Sequence, residues 1–355
     1  MKPASLRFLH RLLDAPGPSG FETAPAAAWR EEAGTLADQV HADVSGNSVA
    51  VLHAEGRPRV MLAGHIDEIG LMVVHVDDDG FLYIQAIGGW DSQVLVGQRV
   101  TIAARGGPVA GVIGKKPIHL IKQEDRDKVT KISDLWIDIG ARDKKDALKR
   151  VRVGDPAVIS CSAVELPNGR LVSRSIDDRI GAFVVMEALR LLSRPRPGVA
   201  VHAVATAQEE IGWFGGGART SATHIEPAVA LVVDVTHATD NPAIEKKEIG
   251  DFRLGGGPVL SRGSAVNPVV FEMLVETAEK EKIPYAIQAA PRDTSTDADA
   301  IATAQRGVAT GLVSIPNRYM HSPNEMVDLA DVERTIRLLA AFARRVTPKT
   351  DFTPR

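Results

Sequence analysis

Apolar and polar positions alternate at helical or strand spacing along different parts of the chain, and the N-terminal part mixes the two. Four leucines at helical spacing predict an amphipathic opening helix that faces them inward: Leu6, Leu9, Leu12 and Leu13. Prolines and glycines between residues 15 and 20 end this helix. The run Val60–Ala63 is short, apolar and followed by a glycine, which predicts a buried strand.

The middle of the chain, residues 71–162, has a different pattern. Its short β-rich segments are separated by turn signals such as Asp79-Gly80 and Gly106-Gly107. The predicted strands are Leu71–Val76, Leu82–Ala86, Arg99–Ala103, Val109–Ile113, Leu135–Ile139 and Ala157–Ser160. This region is therefore predicted to be a small all-β domain.

From residue 163 onward, helical and strand patterns alternate again. The predicted helices are Ile180–Leu192, Phe271–Lys280 and Val332–Arg344, and the predicted strands are Val199–Thr206, Val229–Val233 and Val308–Ser314. Helix–strand alternation on both sides of a β-rich insert predicts one α/β domain interrupted by a second domain. The predicted α/β domain consists of residues 1–70 plus 163–355, and the insert consists of residues 71–162.

The amino-acid composition mainly excludes classes of protein. The chain has 355 residues, 44% of them hydrophobic, which is enough for a large core and excludes a disordered protein. Its 42 basic and 45 acidic residues give a formal charge of -3, so no broad basic field is available for nucleic acid. No apolar stretch approaches the roughly 20 residues that span a bilayer. The single cysteine, Cys161, cannot form an internal disulfide, which favours a reducing compartment, so we expect a cytoplasmic protein. From the charge balance and the lack of a long apolar stretch, we expect no nucleic-acid or membrane partner.

Acidic residues and histidines follow several predicted strands. His65 and Asp67 come after Val60–Ala63 and share a face if the chain is still extended there. A metal-bound histidine usually donates its other ring N–H to a carboxylate, so the pair offers a ligand and its orienting partner. A turn with polar residues explains the same pattern without a metal.

Two pairs of adjacent carboxylates have similar alternatives. Asp177 and Asp178 precede a predicted helix, where acidic residues also suit capping and the helix dipole. Glu209 and Glu210 directly follow the strand Val199–Thr206. One of them can bind a metal while its neighbour stays free as a general base, although charge at a helix N-terminus is again the alternative.

Asp234 and His321 extend this pattern to two further strands. An acidic residue directly after Val229–Val233 would be costly to bury without a partner. Ligands in open α/β sheets bind at the carboxyl ends of strands, where all these residues are expected. Together they suit a pair of divalent ions, each with one nitrogen ligand and several oxygen ligands. The sequence contains no H-E-x-x-H, G-x-S-x-G or P-loop motif.

Five motifs, in this order, resemble those of the dinuclear metallo-aminopeptidases that assemble into tetrahedral (TET) particles: GHIDEIG, SIDDRIGAFV, AQEEIGWFGG, VDVTHATDNP and RYMHSPNE. That family includes glutamyl, leucyl and lysyl aminopeptidases, and some members are labelled endoglucanases. The segments GGWDSQVLVGQRVTI, GVIGKKPIHL and DLWIDIGA resemble the family's inserted dimerisation domain. The resemblance spans nearly the whole chain. It implies an α/β/α zinc-peptidase sandwich interrupted by a small all-β domain, barrel or PDZ-like.

The resemblance also implies a ligand set. His65 and Asp234 would hold one metal ion, and Glu210 and His321 would hold the other. Asp177 would bridge the two ions. The implied cofactors are two divalent metal ions, with zinc expected first and cobalt or manganese as alternatives.

The remaining roles follow from the same resemblance. Glu209 would be the general base, and Asp67 would orient His65. The family often has a non-proline cis peptide after the bridging aspartate, which here is the Asp177–Asp178 bond.

The implied function is removal of N-terminal residues from peptides, with a metal-bridging water activated by Glu209. The implied partners are peptide substrates and further copies of the chain, as dimers that assemble into a tetrahedral dodecamer. A metal-dependent deacylase of small N-acyl substrates is an alternative function, and an inactive scaffold is another. A glycosidase is less expected, because aromatic residues make up only 5% of the chain.

The sequence leaves open which N-terminal residue is removed, which metal is native, and whether the assembly is a dimer or a dodecamer. His119 and His237 are candidates for the substrate pocket, and Thr294–Asp299 is predicted to shape its specificity. Trp213 and Phe214 either line the pocket or pack in the core.

Overall fold

The computed structural model describes residues 1–212, 215–242 and 244–355. The helices are α1 (Pro3–Asp14), α2 (Thr23–Ala33), α3 (Lys144–Leu148), α4 (Ile176–Leu192), α5 (Gly216–Ile225), α6 (Lys246–Ile249), α7 (Pro268–Lys280), α8 (Asp297–Ala302) and α9 (Leu329–Arg345). The strands are β1 (Gln39–Ala42), β2 (Ser48–Leu52), β3 (Arg59–His65), β4 (Gly70–Val76), β5 (Leu82–Ile87), β6 (Arg99–Ala104), β7 (Gly107–Gly114), β8 (Trp136–Asp138), β9 (Pro156–Ile159), β10 (Val164–Leu166), β11 (Arg170–Ser173), β12 (Ala200–Thr206), β13 (Val229–His237), β14 (Val259–Gly263), β15 (Ala286–Ala290), β16 (Ala309–Asn317) and β17 (Glu325–Asp328).

An eight-stranded mixed sheet forms the centre of the larger part of the molecule, in the order β1-β2-β12-β3-β13-β16-β14-β15. The four neighbours β12, β3, β13 and β16 are parallel to one another. Their carboxyl ends therefore meet at one edge of the sheet, which is where ligands bind in such folds.

Helices cover both faces of this sheet. On one face, α4 packs against β3 and β13, and α9 packs against α4. Gly64 allows this close approach, because a Cβ there would lie only 2.5 Å from the backbone carbon of Gly181 in α4. On the other face, α8 is tied to the sheet by a hydrogen bond from Thr206 to Asp297. Strands whose two faces are both covered in this way are apolar nearly throughout, as β3 and β12 are.

A closed six-stranded barrel with the order β4-β5-β8-β7-β6-β9 forms a separate core. Its neighbouring strands are antiparallel, and their inward residues include Leu71, Val100 and Ile137. Closure leaves no unpaired sheet edge. A third, three-stranded sheet, β10-β11-β17, returns the chain from the barrel to the large sheet.

The predicted fold class is confirmed: an α/β/α sandwich is interrupted by a small all-β barrel. Several strands are longer than predicted, and two of them extend three or more residues past their predicted carboxyl ends. β13 continues past Val233 to His237, and β16 continues past Ser314 to Asn317, because the two strands keep pairing through His237 and Asn317. The apolar run of β13 ends at Val233, but its backbone pairing with β16 continues to His237. Asp234 therefore lies within a strand and not after one.

Within the described ranges, no helix is both long enough and apolar enough to cross a membrane.

Candidate active site

All predicted site residues lie at the carboxyl edge of the four parallel strands. His65 ends β3, and Asp234 lies near the end of β13. Glu209 and Glu210 occupy the turn after β12, and His321 follows β16. The other two predicted site residues are Asp67, just after β3, and Asp177, in the first turn of α4.

One group of possible metal ligands consists of His65, Asp177 and Glu210, whose donor atoms lie within 4.8 Å of one another. His65 Nε2 is 3.2 Å from Asp177 Oδ1. His321 adds a second imidazole, since its Nε2 is 3.3 Å from Asp177 Oδ2 and 3.3 Å from Glu210 Oε2. The two oxygens of Asp177 thus face two different histidines.

A second group consists of His65, Asp178 and Asp234, again within 4.8 Å. Asp178 has no ligand role in the sequence-based assignment. Its carboxylate accepts hydrogen bonds from the backbone N–H groups of His65 at 3.2 Å and Gly181 at 3.1 Å. Both oxygens therefore already support the backbone. The Asp177–Asp178 peptide bond is cis, as the resemblance predicts.

Asp67 contacts the turn that carries the two glutamates, in addition to His65. Its Oδ1 lies 3.4 Å from His65 Nδ1. The same carboxylate accepts hydrogen bonds from the backbone N–H of Glu209 at 3.2 Å, from the N–H of Glu210 at 3.1 Å and from the Ser19 hydroxyl at 2.6 Å. It therefore fixes the turn that carries both glutamates, a role that sequence reasoning missed.

Glu325 is another functional residue that sequence reasoning missed. It is buried, and its two oxygens accept the backbone N–H groups of Asp177 and His321, each at 2.9 Å. It therefore links two predicted ligands that are far apart in the sequence. The motif RYMHSPNE contains this residue, but nothing in the spacing indicates that its carboxylate turns back toward the site.

The backbone beside the site is held in a conformation that non-glycine residues rarely adopt. Ser175, Gln208 and His321 have φ values of 58°, 63° and 58°. Each such residue costs of order 1–3 kcal/mol and persists only where the surrounding structure enforces it. Each is a predicted ligand or lies within two residues of one, and the same conformation also occurs elsewhere in the chain, as at His53 and Lys282.

The electrostatics of the cluster indicate an excess of negative charge. Burial, followed by the charge of Asp177, raises the pKa of Glu210 to about 7. Burial also raises the pKa of Asp234 and of Glu209 well above their ordinary values. Asp177 and Asp67 differ from these groups. Hydrogen bonds from His321 and His65 outweigh the burial of Asp177 and lower its pKa, and His65 and Ser19 do the same for Asp67.

The donor set fits divalent metal ions. Glu210 Oε1 is buried and, among the residues the structure describes, has no hydrogen-bond partner. Carboxylate oxygens with imidazole nitrogens are ligands that zinc, cobalt and manganese accept. A cation would also compensate the carboxylates whose pKa values are raised by burial and by neighbouring negative charges.

Glu209 stands between the cluster and open space. Its Oε2 is 3.7 Å from His65 Nε2. It lines a cavity of about 750 Å³, together with Asp177, Glu210, Asp234 and His321. This size falls within the usual range for small-ligand sites, about 300–1,000 Å³. A substrate in the cavity can therefore reach both the cluster and the Glu209 carboxylate.

The wall of this cavity includes residues of the segment Thr294–Asp299, as well as His237. The carboxylate of Asp299 accepts hydrogen bonds from Thr294 and Ser295, which holds the segment in a compact turn. His119 is exposed in the barrel and does not line this cavity. The predictions for Trp213 and Phe214 fall outside the described residues.

A buried ion-pair cluster lies behind the site. Glu68 pairs with Arg174 and, at 2.8 Å, with Arg179. Arg179 also donates to the carbonyl oxygens of Leu12, Gly17 and Ile66. Glu68 follows Asp67, and Arg179 follows the Asp177–Asp178 pair, so this cluster joins the two segments that carry the predicted ligands.

Comparisons with known proteins find similar sequences over most of the chain. The sequence profile of the family described as M42 glutamyl aminopeptidase matches residues 46–338. A lysyl aminopeptidase from Pyrococcus furiosus is 36% identical over 351 residues, which cover 98% of each chain.

Two solved structures extend the likeness to the fold. A TET aminopeptidase from a marine-sediment archaeon of the Thaumarchaeota has a TM-score of 0.93 and 35% identity, with 98% of this chain and 97% of that chain covered. The TET1 peptidase of Pyrococcus horikoshii, which can assemble into a tetrahedron or a large octahedral shell, has a TM-score of 0.85 and 32% identity. The match covers 96% of this chain and 100% of that one.

Proposed function

The chain belongs to the M42 glutamyl aminopeptidase family and is a peptide hydrolase, and we propose that its carboxylate–histidine cluster binds two divalent metal ions for this reaction. The observation that carries the proposal is the convergence of buried carboxylates on two imidazoles, with one oxygen of Glu210 lacking a hydrogen-bond partner among the described residues.

In this proposal, His65 and Asp234 hold one ion, and Glu210 and His321 hold the other. Asp177 lies between the two imidazoles, so its carboxylate would contribute to holding both ions. Zinc is the expected metal, with cobalt or manganese as alternatives. When bound, such ions polarise a scissile carbonyl and make water more acidic.

Glu209 acts as the general base. Its carboxylate faces the cavity beside the cluster, and burial keeps its pKa well above the ordinary value. It takes the proton of the attacking water and delivers it to the leaving amine. Asp67 keeps Glu209 in place through the backbone N–H, and it orients His65 through the ring.

We also propose the assembly and the division of the chain. Residues 71–162 form the inserted dimerisation domain, and residues 1–70 plus 163–355 form the catalytic domain. Dimers assemble into a tetrahedral dodecamer, as the tetrahedral assembly of the Pyrococcus horikoshii peptidase supports. Light scattering of the purified protein tests this, since a mass near that of a monomer or of a dimer contradicts the dodecamer. The cytoplasmic location stays a prediction.

Glu209→Gln tests the proposed chemistry. General bases typically contribute about 100-fold to 10,000-fold, so we expect kcat on aminoacyl anilides to fall by at least about 100-fold. Two metal ions per chain should still be present by mass spectrometry, because Glu209 is not one of the proposed ligands. The exposed Glu276→Gln is the matched control and should keep full activity.

Two results would contradict the proposal. A near-normal kcat for Glu209→Gln removes Glu209 as the base. Wild-type protein that cleaves anilides without any bound metal, even after chelation, removes the role of the cluster.

A further inference from the structure

A second cleft, of about 310 Å³, lies on the large sheet away from the catalytic edge. It is lined by the start of β3, by β1, β2 and β12, and by the end of α5. Arg59 is the first residue of β3, and His65 is the last. At about 3.3 Å per residue, the cleft is roughly 20 Å from the proposed metal site. The two sites therefore share no residue.

Two guanidinium groups in this cleft are held in place by backbone carbonyls. Arg57 Nη1 donates to Ala54 at 3.1 Å and to Gly56 at 2.7 Å, and Arg59 Nη1 donates to Ile225. A guanidinium has five N–H donors in a fixed plane. Among the described residues, the Nε and Nη2 groups of both arginines have no hydrogen-bonded acceptor. Fixed but unused donors are what a bound oxyanion needs.

His202 adds a buried polar atom without a partner. Its Nε2 has no hydrogen bond within the described ranges, and the residue lines the cleft. Burial, followed by the charges of Arg59 and other nearby basic groups, lowers its pKa to about 4. The ring is therefore neutral at pH 7, where it can donate one N–H. A buried polar atom usually has a partner, so this one is available to a molecule bound in the cleft.

The cleft does not suit a metal ion. His41 and His224 also line it, but in the part of the chain that the structure describes the three imidazoles form no group close enough to share an ion. Two arginines nearby would also repel a cation. Nearby carboxylates of the described residues do not occupy the Nε and Nη2 groups of the two arginines. Glu226 lies 3.6 Å from Nη1 of Arg59, which is not one of these groups. Glu55 forms no ion pair with either arginine among the described side chains.

We propose that this cleft binds a small oxyanion, either free phosphate or the phosphate group of a mononucleotide. The planar guanidinium groups match phosphate oxygens in pairs, and the half-buried His202 supplies a further donor. The volume lies at the lower end of the range for small-ligand sites, so it has room for more than a bare phosphate ion.

Calorimetric titration of the full-length protein with inorganic phosphate tests the proposal, before and after chelation of metals. Binding at the cleft persists after chelation, whereas binding to the catalytic metals does not. Arg57→Met should weaken phosphate binding at least about tenfold, which corresponds to about 1.4 kcal/mol. Arg57 is exposed, so the variant should fold and keep its peptidase activity. His202→Leu removes the imidazole donor that lines the cleft and should also weaken binding.

The matched control is Arg105→Met, which removes an exposed arginine in the turn between β6 and β7 and should leave phosphate affinity unchanged. A parallel titration with adenosine monophosphate separates the two sources: tighter binding than phosphate indicates a nucleotide, and weaker or equal binding indicates the free ion. The proposal is wrong if chelated wild-type protein binds neither probe. It is also wrong if Arg57→Met and His202→Leu bind phosphate as tightly as Arg105→Met.

Discussion

Glu68 neutralises two arginines that have almost no contact with water, and its removal is the most severe single perturbation we expect outside the metal ligands. Arg179 is fully buried, and the side chains of Arg174 and Glu68 are 7% and 3% exposed. Glu68→Gln keeps the shape of the side chain but removes its charge. Both guanidinium groups then remain buried without the carboxylate that pairs with them, and the charges of Asp14 near Arg174 and Asp67 near Arg179 still favour them.

The magnitude follows from this burial. Breaking a buried ion pair by removing one partner typically costs about 3–5 kcal/mol. Burial already lowers the pKa of Arg179 to about 10 despite the opposing charge of Glu68. Without Glu68, that opposing contribution is lost. We therefore expect Glu68→Gln to reduce the free energy of unfolding by about 3–5 kcal/mol.

The substitution should also weaken metal binding, because the ion pair between Glu68 and Arg179 joins the segment after β3 to the start of α4. Metal affinity should fall together with stability. Urea unfolding of the chelated protein at one fixed protein concentration measures the first effect, and titration with zinc measures the second. Fixed concentration matters because assembly also contributes to apparent stability.

The control makes the same chemical change at the surface. Glu276 pairs with Arg345 at 2.6 Å, but its side chain is 64% exposed. Exposed pairs contribute about 0–1 kcal/mol, so Glu276→Gln should cost less than about 1 kcal/mol. If Glu68→Gln costs no more than Glu276→Gln, the reasoning about the buried pair is refuted.

Two further predictions concern the cluster itself. Without metal, Glu210 has a pKa of about 7 and keeps a proton that the unfolded chain loses near 4.5, so stability should fall as pH rises between these values, by up to about 3 kcal/mol. Calorimetry of the chelated wild type and of chelated Glu210→Gln checks this, because the difference between their Tm values separates Glu210 from other groups, such as His202, whose lowered pKa acts in the opposite sense. A difference that stays constant or rises across the window contradicts the prediction. Glu325→Gln replaces one acceptor of the Asp177 or His321 backbone N–H by a donor, and metal affinity should fall about 10-fold to 100-fold. Unchanged zinc affinity in that variant argues against a positioning role for Glu325.

The predicted family, the peptide hydrolase class and the fold class are confirmed, and the reason lies in local signals. Five short motifs contain the acidic residues and histidines expected of the family, and they occur in the expected order. The change from alternating helix and strand patterns to a run of short strands marks the insert. The boundaries of β13 were harder, because Asp234 ends an apolar run although the backbone pairing continues to His237.

The support behind the ligands could not be predicted, because it depends on contacts between distant segments. Glu325 reaches the backbone of Asp177 across 148 residues, and Ser19 reaches Asp67 across 48 residues. A lone serine or glutamate carries no signal of such a contact. The ligand roles themselves stay predictions, although the predicted residues do converge at one edge of the sheet.

The way this site is supported suggests why metal binding and folding should be coupled. Buried carboxylates such as Asp234 and Glu210 have raised pKa values, and left-handed backbone at Gln208 and His321 adds strain beside them. Without a cation, each of these features opposes folding. The backbone hydrogen bonds accepted by Asp67, with the Glu68 ion pairs, hold the arrangement together. A bound metal ion would then stabilise the native chain far more than the unfolded one, since only the native chain brings these oxygens together.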